Sequence, residues 1–105
     1  MTEQTESLLR ALLVTVGRSA FPLDQLYEIV DPTGKGGKQV QAFNLADGTR
    51  TQADIRAITK LDSGNLSRTV SRWLEAGIIF RVGEDRDAKL LHIYPIPSKR
   101  PKTRD

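Results

Sequence analysis

Cysteine is absent from the 105-residue chain, and histidine, methionine and tryptophan occur once each. Without a thiol there is no disulfide scaffold, iron–sulfur cluster, cysteine-ligated zinc or cysteine nucleophile. The single histidine, His92, excludes a multi-histidine metal site within one chain. Long apolar runs are missing too. The most apolar stretch, Leu8–Val16, is interrupted by Arg10 and too short to span a bilayer. It also lacks the basic leader and cleavage site of a secretory signal, so the expectation is a cytoplasmic protein with no membrane contact. The glycine-rich stretch Gly34-Lys35-Gly36-Gly37-Lys38 has no Ser or Thr after its last lysine and follows a helical pattern. A nucleotide-binding loop needs that hydroxyl and a preceding strand, so this segment reads as a surface loop and no cofactor is expected. No nucleophile–base pairing emerges either, and the chain is expected not to be an enzyme.

What is present describes one folded unit. At 38% hydrophobic and 28% charged residues the chain can build a core, because its length suffices to bury roughly two-thirds of the unfolded surface. The net charge of +3 is unevenly placed. Residues 1–49 carry four basic and six acidic groups, and residues 50–97 carry eight and six. Residues 98–105 add Lys99, Arg100, Lys102 and Arg104 against Asp105. That end has nothing apolar to bury, so a domain over residues 1–97 with a flexible basic tail over 98–105 is expected. Such a tail is either a solubilising end or a phosphate-contacting arm.

Periodicity sets the elements. Leu8, Leu9, Leu12, Leu13 and Val16 predict a helix over about 4–17 closed by Gly17. Pro22 and the face Leu23, Leu26, Tyr27, Val30 predict a second over about 22–30. Val40, Ala42, Phe43 and Leu45 favour a short helix over 38–46 ended by Gly48, with a strand as the alternative. Thr51 offers an N-cap for a helix over 52–59, and Asp62 or Ser63 one for a helix over 63–76 that stops at Gly77. In that last helix Leu66, Val70, Trp73 and Leu74 form one apolar stripe, and Trp73 reads as core. Two β-rich runs around Gly83–Asp87 predict a hairpin over 78–94, ended by Pro95 and Pro97. His92 falls on its second strand. The fold class is therefore mainly α with a small β-hairpin wing, a winged helix-turn-helix.

The stretch Thr51-Gln52-Ala53-Asp54-Ile55, then Leu61-Asp62, then Leu66 through Ile79 resembles the winged helix of MarR-type bacterial transcription regulators. Asp85-Arg86-Asp87-Ala88-Lys89-Leu90 stands in the place of that family's wing turn, and the resemblance covers about 38–94. It implies a DNA-binding regulator in which Arg86 enters the minor groove, although Asp87 stands where a second wing arginine often sits. It also implies a homodimer. MarR-type chains usually pair through helices at both ends; here the prolines after Tyr94 leave the helix at 4–17, or that at 22–30, to do so.

The groove argument leads the same way. The major groove admits one α-helix, so a reading helix must be apolar on one side and polar on the other. Helix 63–76 offers Ser63, Gly64, Asn65, Ser67 and Arg68 near its start as base-reading candidates. Asn suits adenine and Arg suits guanine, each pair worth roughly 1–3 kcal/mol of discrimination. Phosphate contacts are expected from Arg50, Thr51, Lys60, Arg72 and Lys89. The competing readings are a solvated Arg68/Arg72 face, with Arg72 paired to Glu75, and a local backbone role for Asn65. The leading function is sequence-specific binding of double-stranded DNA by a transcription regulator. The alternatives are a winged helix that recruits a protein partner, suggested by the acidic first half, or one that binds RNA.

Overall fold

The computed structural model describes residues 2–83 and 88–100. Its elements run α1 (Glu3–Ala20), α2 (Leu23–Val30), α3 (Gly37–Leu45), α4 (Gln52–Thr59), α5 (Ser63–Ala76), β1 (Ile79–Val82) and β2 (Lys89–His92). The expected winged helix is formed, and residues 38–45 are helical rather than extended.

Local chemistry explains most boundaries. The Thr2 hydroxyl accepts the Thr5 N–H at 3.1 Å and caps α1, filling one donor that the first turn leaves open. Thr51 and Asp54 form a reciprocal capping box at α4. The Asp62 carboxylate accepts the Asn65 N–H at 3.0 Å and starts α5, and Gly77 ends it in the left-handed conformation at φ 79°.

Two glycines do other work than the stops expected of them. Gly17 does not close α1, which continues to Ala20. It is buried where the helix crosses the segment leaving the wing, and an added Cβ would stand 2.8 Å from Ile93 Cβ. The missing side chain serves close approach, not helix termination. Nor does Gly48 end α3, which stops at Leu45. Residues 46–50 instead run alongside β2, bending at Gly48 and Thr49, with Gly48 N–H donating to Leu90 O at 2.8 Å and Leu90 N–H donating to Arg50 O at 3.0 Å. Strand β2 is thus flanked on both sides, by this segment and by β1 in antiparallel register Ile79↔His92 to Val82↔Lys89.

The core lies between the helices and the wing. Leu26, Tyr27 and Val30 of α2 meet Val40 and Phe43 of α3, Ile55 of α4, Leu66, Val70 and Trp73 of α5, and Leu90 of β2. Phe43 is its hub: Trp73 packs edge-on against its ring at 5.4 Å and His92 stacks on it at 5.3 Å. His92 is buried, and its Nδ1–H donates to Phe43 O at 2.8 Å.

The chain beyond the wing is held further than its composition suggests. Ile96 is buried, and the Asn44 carboxamide both donates to Ile96 O at 2.7 Å and accepts from Ile96 N at 2.9 Å. The Tyr27 hydroxyl donates to Pro97 O and, at 3.2 Å, to Lys99 O. Arg100 pairs with Glu28 at 3.0 Å and Asp24 at 3.7 Å. The segment expected to leave the domain at Ser98 therefore lies along α2 as far as Arg100, because the acidic residues of α2 offer it partners. Lys102 and Arg104 fall outside the described residues.

Candidate nucleic-acid interface

Helix α5 has one side sealed and one side open. Leu66, Thr69, Val70 and Trp73 are buried, whereas Ser63, Asn65, Ser67, Arg68, Ser71 and Arg72 are exposed and Gly64 is half-buried. At 100° per residue Gly64, Arg68, Ser71 and Glu75 run down the middle of the open side. Ser71 was not singled out from the sequence, yet its spacing of four from Ser67 and three from Arg68 marks it as part of the same face. The acidic Glu75 at the far end leaves the first two turns as the part compatible with a polyanion.

Those first turns hold an organised cluster. Arg68 Nη2 donates to Asn65 Oδ1 at 2.6 Å. A Cβ on Gly64 would stand 3.2 Å from Asp62 Oδ2 and 3.4 Å from Arg68 Nη1, so the bare backbone leaves the guanidinium its space. Asn65 is thus engaged by a neighbouring side chain, while the local backbone bond at this position is the Asp62 cap to the Asn65 N–H.

The cations expected at phosphates are not equally available. Arg72 donates to Ile29 O at 3.3 Å, where the C-terminal carbonyls of α2 attract a positive group. No Arg72–Glu75 ion pair occurs among the described residues. Arg50 is tied to Asp47 at 3.0 Å, with 35% of its side chain exposed. Thr51 is half-buried and its hydroxyl serves the α4 cap. Lys60 is exposed in the turn between α4 and α5 and adopts φ 62°, the only non-glycine residue with positive φ among those described. Lys89 is half-buried at the base of the wing. Arg86 lies outside the described residues.

The carboxylates beside these cations stay ionised. Thr51's backbone N–H, then its hydroxyl, with Lys89 and Arg50 nearby, hold Asp54 below its ordinary value of 3.8. Burial pushes Asp47 up, but bonds from Thr49 and the charge of Arg50 outweigh it and leave its carboxyl lowered. The wing base is consequently a mixed-charge cluster, not a purely basic one. Among the described residues no group of three His, Cys, Asp or Glu side chains converges on a metal position. No described helix is long and apolar enough to cross a membrane.

Helix α1 packs Leu13, Val14 and Gly17 on the rest of the fold and leaves a second apolar stripe uncovered. Leu8, Leu12 and Val16, one turn apart, are 67%, 59% and 62% exposed. Its arginines, both exposed, reach along the surface to the rest of the fold: Arg10 donates to Asp47 O at 3.1 Å and Arg18 lies 4.5 Å from the centre of the Tyr94 ring. On a helical wheel the outward face carries Gln4, Thr5, Leu8, Leu12, Thr15, Val16 and Ser19, with no charged residue among them.

Two helices joined by a tight turn, an outward polar face on the second, and a hairpin directly after it define a winged helix-turn-helix domain. Its kind is narrower than that. Residues 42–90 match the family model described as MarR family, so the winged helix of this chain is similar to that family of transcription regulators. The match runs from within α3 into β2, leaving α1 and α2 outside it. No curated protein and no solved structure matches the chain.

Proposed function

We propose that the protein regulates transcription by binding double-stranded DNA, with the first two turns of α5 in the major groove and the wing against the adjacent backbone. The observation that carries this reading is the open side of α5: a small, polar, cation-bearing surface opposite a side fixed in the core. Ser63, Gly64, Asn65, Ser67 and Arg68 face the bases in this arrangement. Lys60, beside them in the turn, and Lys89 and Arg50 at the wing base supply phosphate contacts, with Arg72 and Thr51 at the edges. By the resemblance to MarR-type regulators, Arg86 is the candidate for the minor groove.

A band-shift titration on duplex DNA at two salt concentrations tests the proposal. Affinity should fall steeply as salt rises, because each neutralised phosphate releases a counterion. Binding that is absent, or indifferent to salt, overturns it, and preference for single-stranded or duplex RNA in competition would favour the RNA reading.

The exposed face of α1 supports a second element, a homodimer. Large apolar side chains facing water on an isolated helix mark an interaction surface. An isologous contact brings each position near its own copy, so a charge-free face suits a second copy of this chain better than a charged partner. Two copies paired along Leu8, Leu12 and Val16 would present two α5 helices to one duplex, with half-sites about one helical turn apart.

A further inference from the structure

We propose that Arg68 is the residue of α5 that reads guanine and that Asn65 is its positioning residue, not an independent reader of adenine. This rests on α5 entering the major groove and assigns roles within that surface. A bidentate contact to adenine requires the Asn oxygen to accept from N6 while its NH2 donates to N7. In the structure that oxygen is already engaged by Arg68 Nη2 at 2.6 Å. The oxygen has a second lone pair, but the bond from Arg68 already turns the carboxamide toward the guanidinium and away from the coplanar approach that a paired contact to adenine needs. Arg68 has the complementary situation. Its guanidinium carries five N–H donors, and one bond to Asn65 leaves enough for the paired contact to guanine O6 and N7.

The cluster around the pair fits this division of labour. The Asp62 carboxylate caps Asn65 N–H at 3.0 Å and so fixes the backbone from which the Asn65 side chain projects. Gly64 keeps the space beside Arg68 Nη1 free of a side chain. A long flexible arginine on an open helix face loses rotamer freedom when it docks, and holding it beforehand removes part of that cost. The acceptor that holds it comes from the preceding turn, three residues earlier, which is the helical spacing at which two side chains meet.

Site selection from random duplex DNA, followed by titration of single-base variants of the selected site, tests the assignment. The full chain is used as wild type and as Asn65→Ala, Asn65→Asp and Arg68→Ala, with thermal melting as the folding control. Arg68→Ala should lose discrimination at one guanine by roughly 5- to 150-fold, the range of one bidentate pair. Asn65→Ala should weaken preference at that same guanine while leaving non-specific binding in place. Asn65→Asp keeps the acceptor for Arg68 and should restore the guanine preference, at lower overall affinity because it brings a negative charge to the duplex. If Asn65→Ala instead relaxes an adenine position and leaves the guanine preference intact, the positioning role is overturned while DNA binding stands. An Asn65→Asp variant that fails to restore the preference overturns it as well. Absence of duplex binding by the wild type overturns the DNA reading and this assignment with it.

Discussion

Gly17 of α1 and Ile93, just beyond β2, meet so closely that a Cβ on the glycine would lie 2.8 Å from the Ile93 Cβ. The clash would be with a branch point fixed to the backbone, not with the mobile end of a side chain, so accommodating it requires α1 to move. Gly17→Ala sets two effects against each other. Alanine improves helix propensity by about 1 kcal/mol, and overpacking costs about 1–3 kcal/mol. The clash should win, giving net destabilisation of up to about 2 kcal/mol in urea unfolding. A variant more stable than wild type would mean that α1 does not depend on this close approach.

Lys60 holds a left-handed conformation that glycine or asparagine adopts more readily. Lys60→Gly should therefore stabilise the fold by about 1 kcal/mol, the left-handed strain it relieves exceeding the freedom it adds to the unfolded chain. It should weaken binding to all duplexes alike and lower the salt dependence by about one charge. Paired melting and band-shift measurements check both halves. Unchanged DNA affinity would remove Lys60 from the phosphate contacts.

Burial holds the His92 imidazole below its ordinary value of 6.5, against the Phe43 carbonyl bond and the charge of Asp47, which favour protonation. The unfolded chain then binds a proton at a pH where the folded chain does not. Stability should be fully present above about pH 6.5 and should decline as pH falls from there through the lowered folded value. His92→Asn can keep a donor for the Phe43 carbonyl without titrating, and should flatten this limb of a stability–pH profile. Asp47 and Asp54, both lowered from 3.8, act at more acid pH and should leave their own later loss unchanged.

Leu12 lies in the middle of the exposed stripe of α1 and is 59% exposed. Leu12→Lys removes no core contact, so the melting temperature of the isolated domain should change little. On a dimer surface it would place two like charges face to face across the two-fold axis. Light scattering after size exclusion should show a dimer for wild type and a monomer for the variant, with a loss of affinity for two-half-site DNA. A wild-type monomer at micromolar concentration would remove α1 from the assembly.

Tyr27 anchors the segment after the wing through one hydroxyl that reaches Pro97 O and Lys99 O. Tyr27→Phe keeps the ring in the core and deletes only those bonds, at a cost of about 1 kcal/mol. Limited proteolysis with trypsin should then cut after Lys99 faster than in wild type, since Pro101 shields the bond after Arg100. An unchanged cleavage rate would show that Ile96 and Arg100 hold the segment without it.

Much of the domain was legible because its signals are local. The capping residues Thr51 and Asp62, the stripe Leu66, Val70, Trp73, and the paired β-rich runs each act over a few residues. Boundaries slipped where a glycine had two possible uses. Gly17 and Gly48 both look like helix stops in one dimension, since glycine weakens a helix wherever it falls. Only the neighbouring chain reveals that one permits a helix crossing and the other continues along a strand.

The sequence by itself determined that two helices, a turn and a hairpin follow one another, and that the second helix keeps a polar side. Periodicity, caps and turn residues decide this within a turn or two of each position. Tertiary structure decided which polar groups remain free for a ligand. Arg72 is drawn to Ile29, 43 residues earlier in the chain. Tyr27 fastens Pro97, 70 residues later, and Asn44 clasps Ile96 across 52. These partners are set by how the helices pack, because a buried or half-buried polar atom must find its bond wherever the fold places one. Packing likewise brought Leu13 and Val14 of α1 against the core and left Leu8, Leu12 and Val16 facing out, a choice invisible in the periodicity of the helix alone.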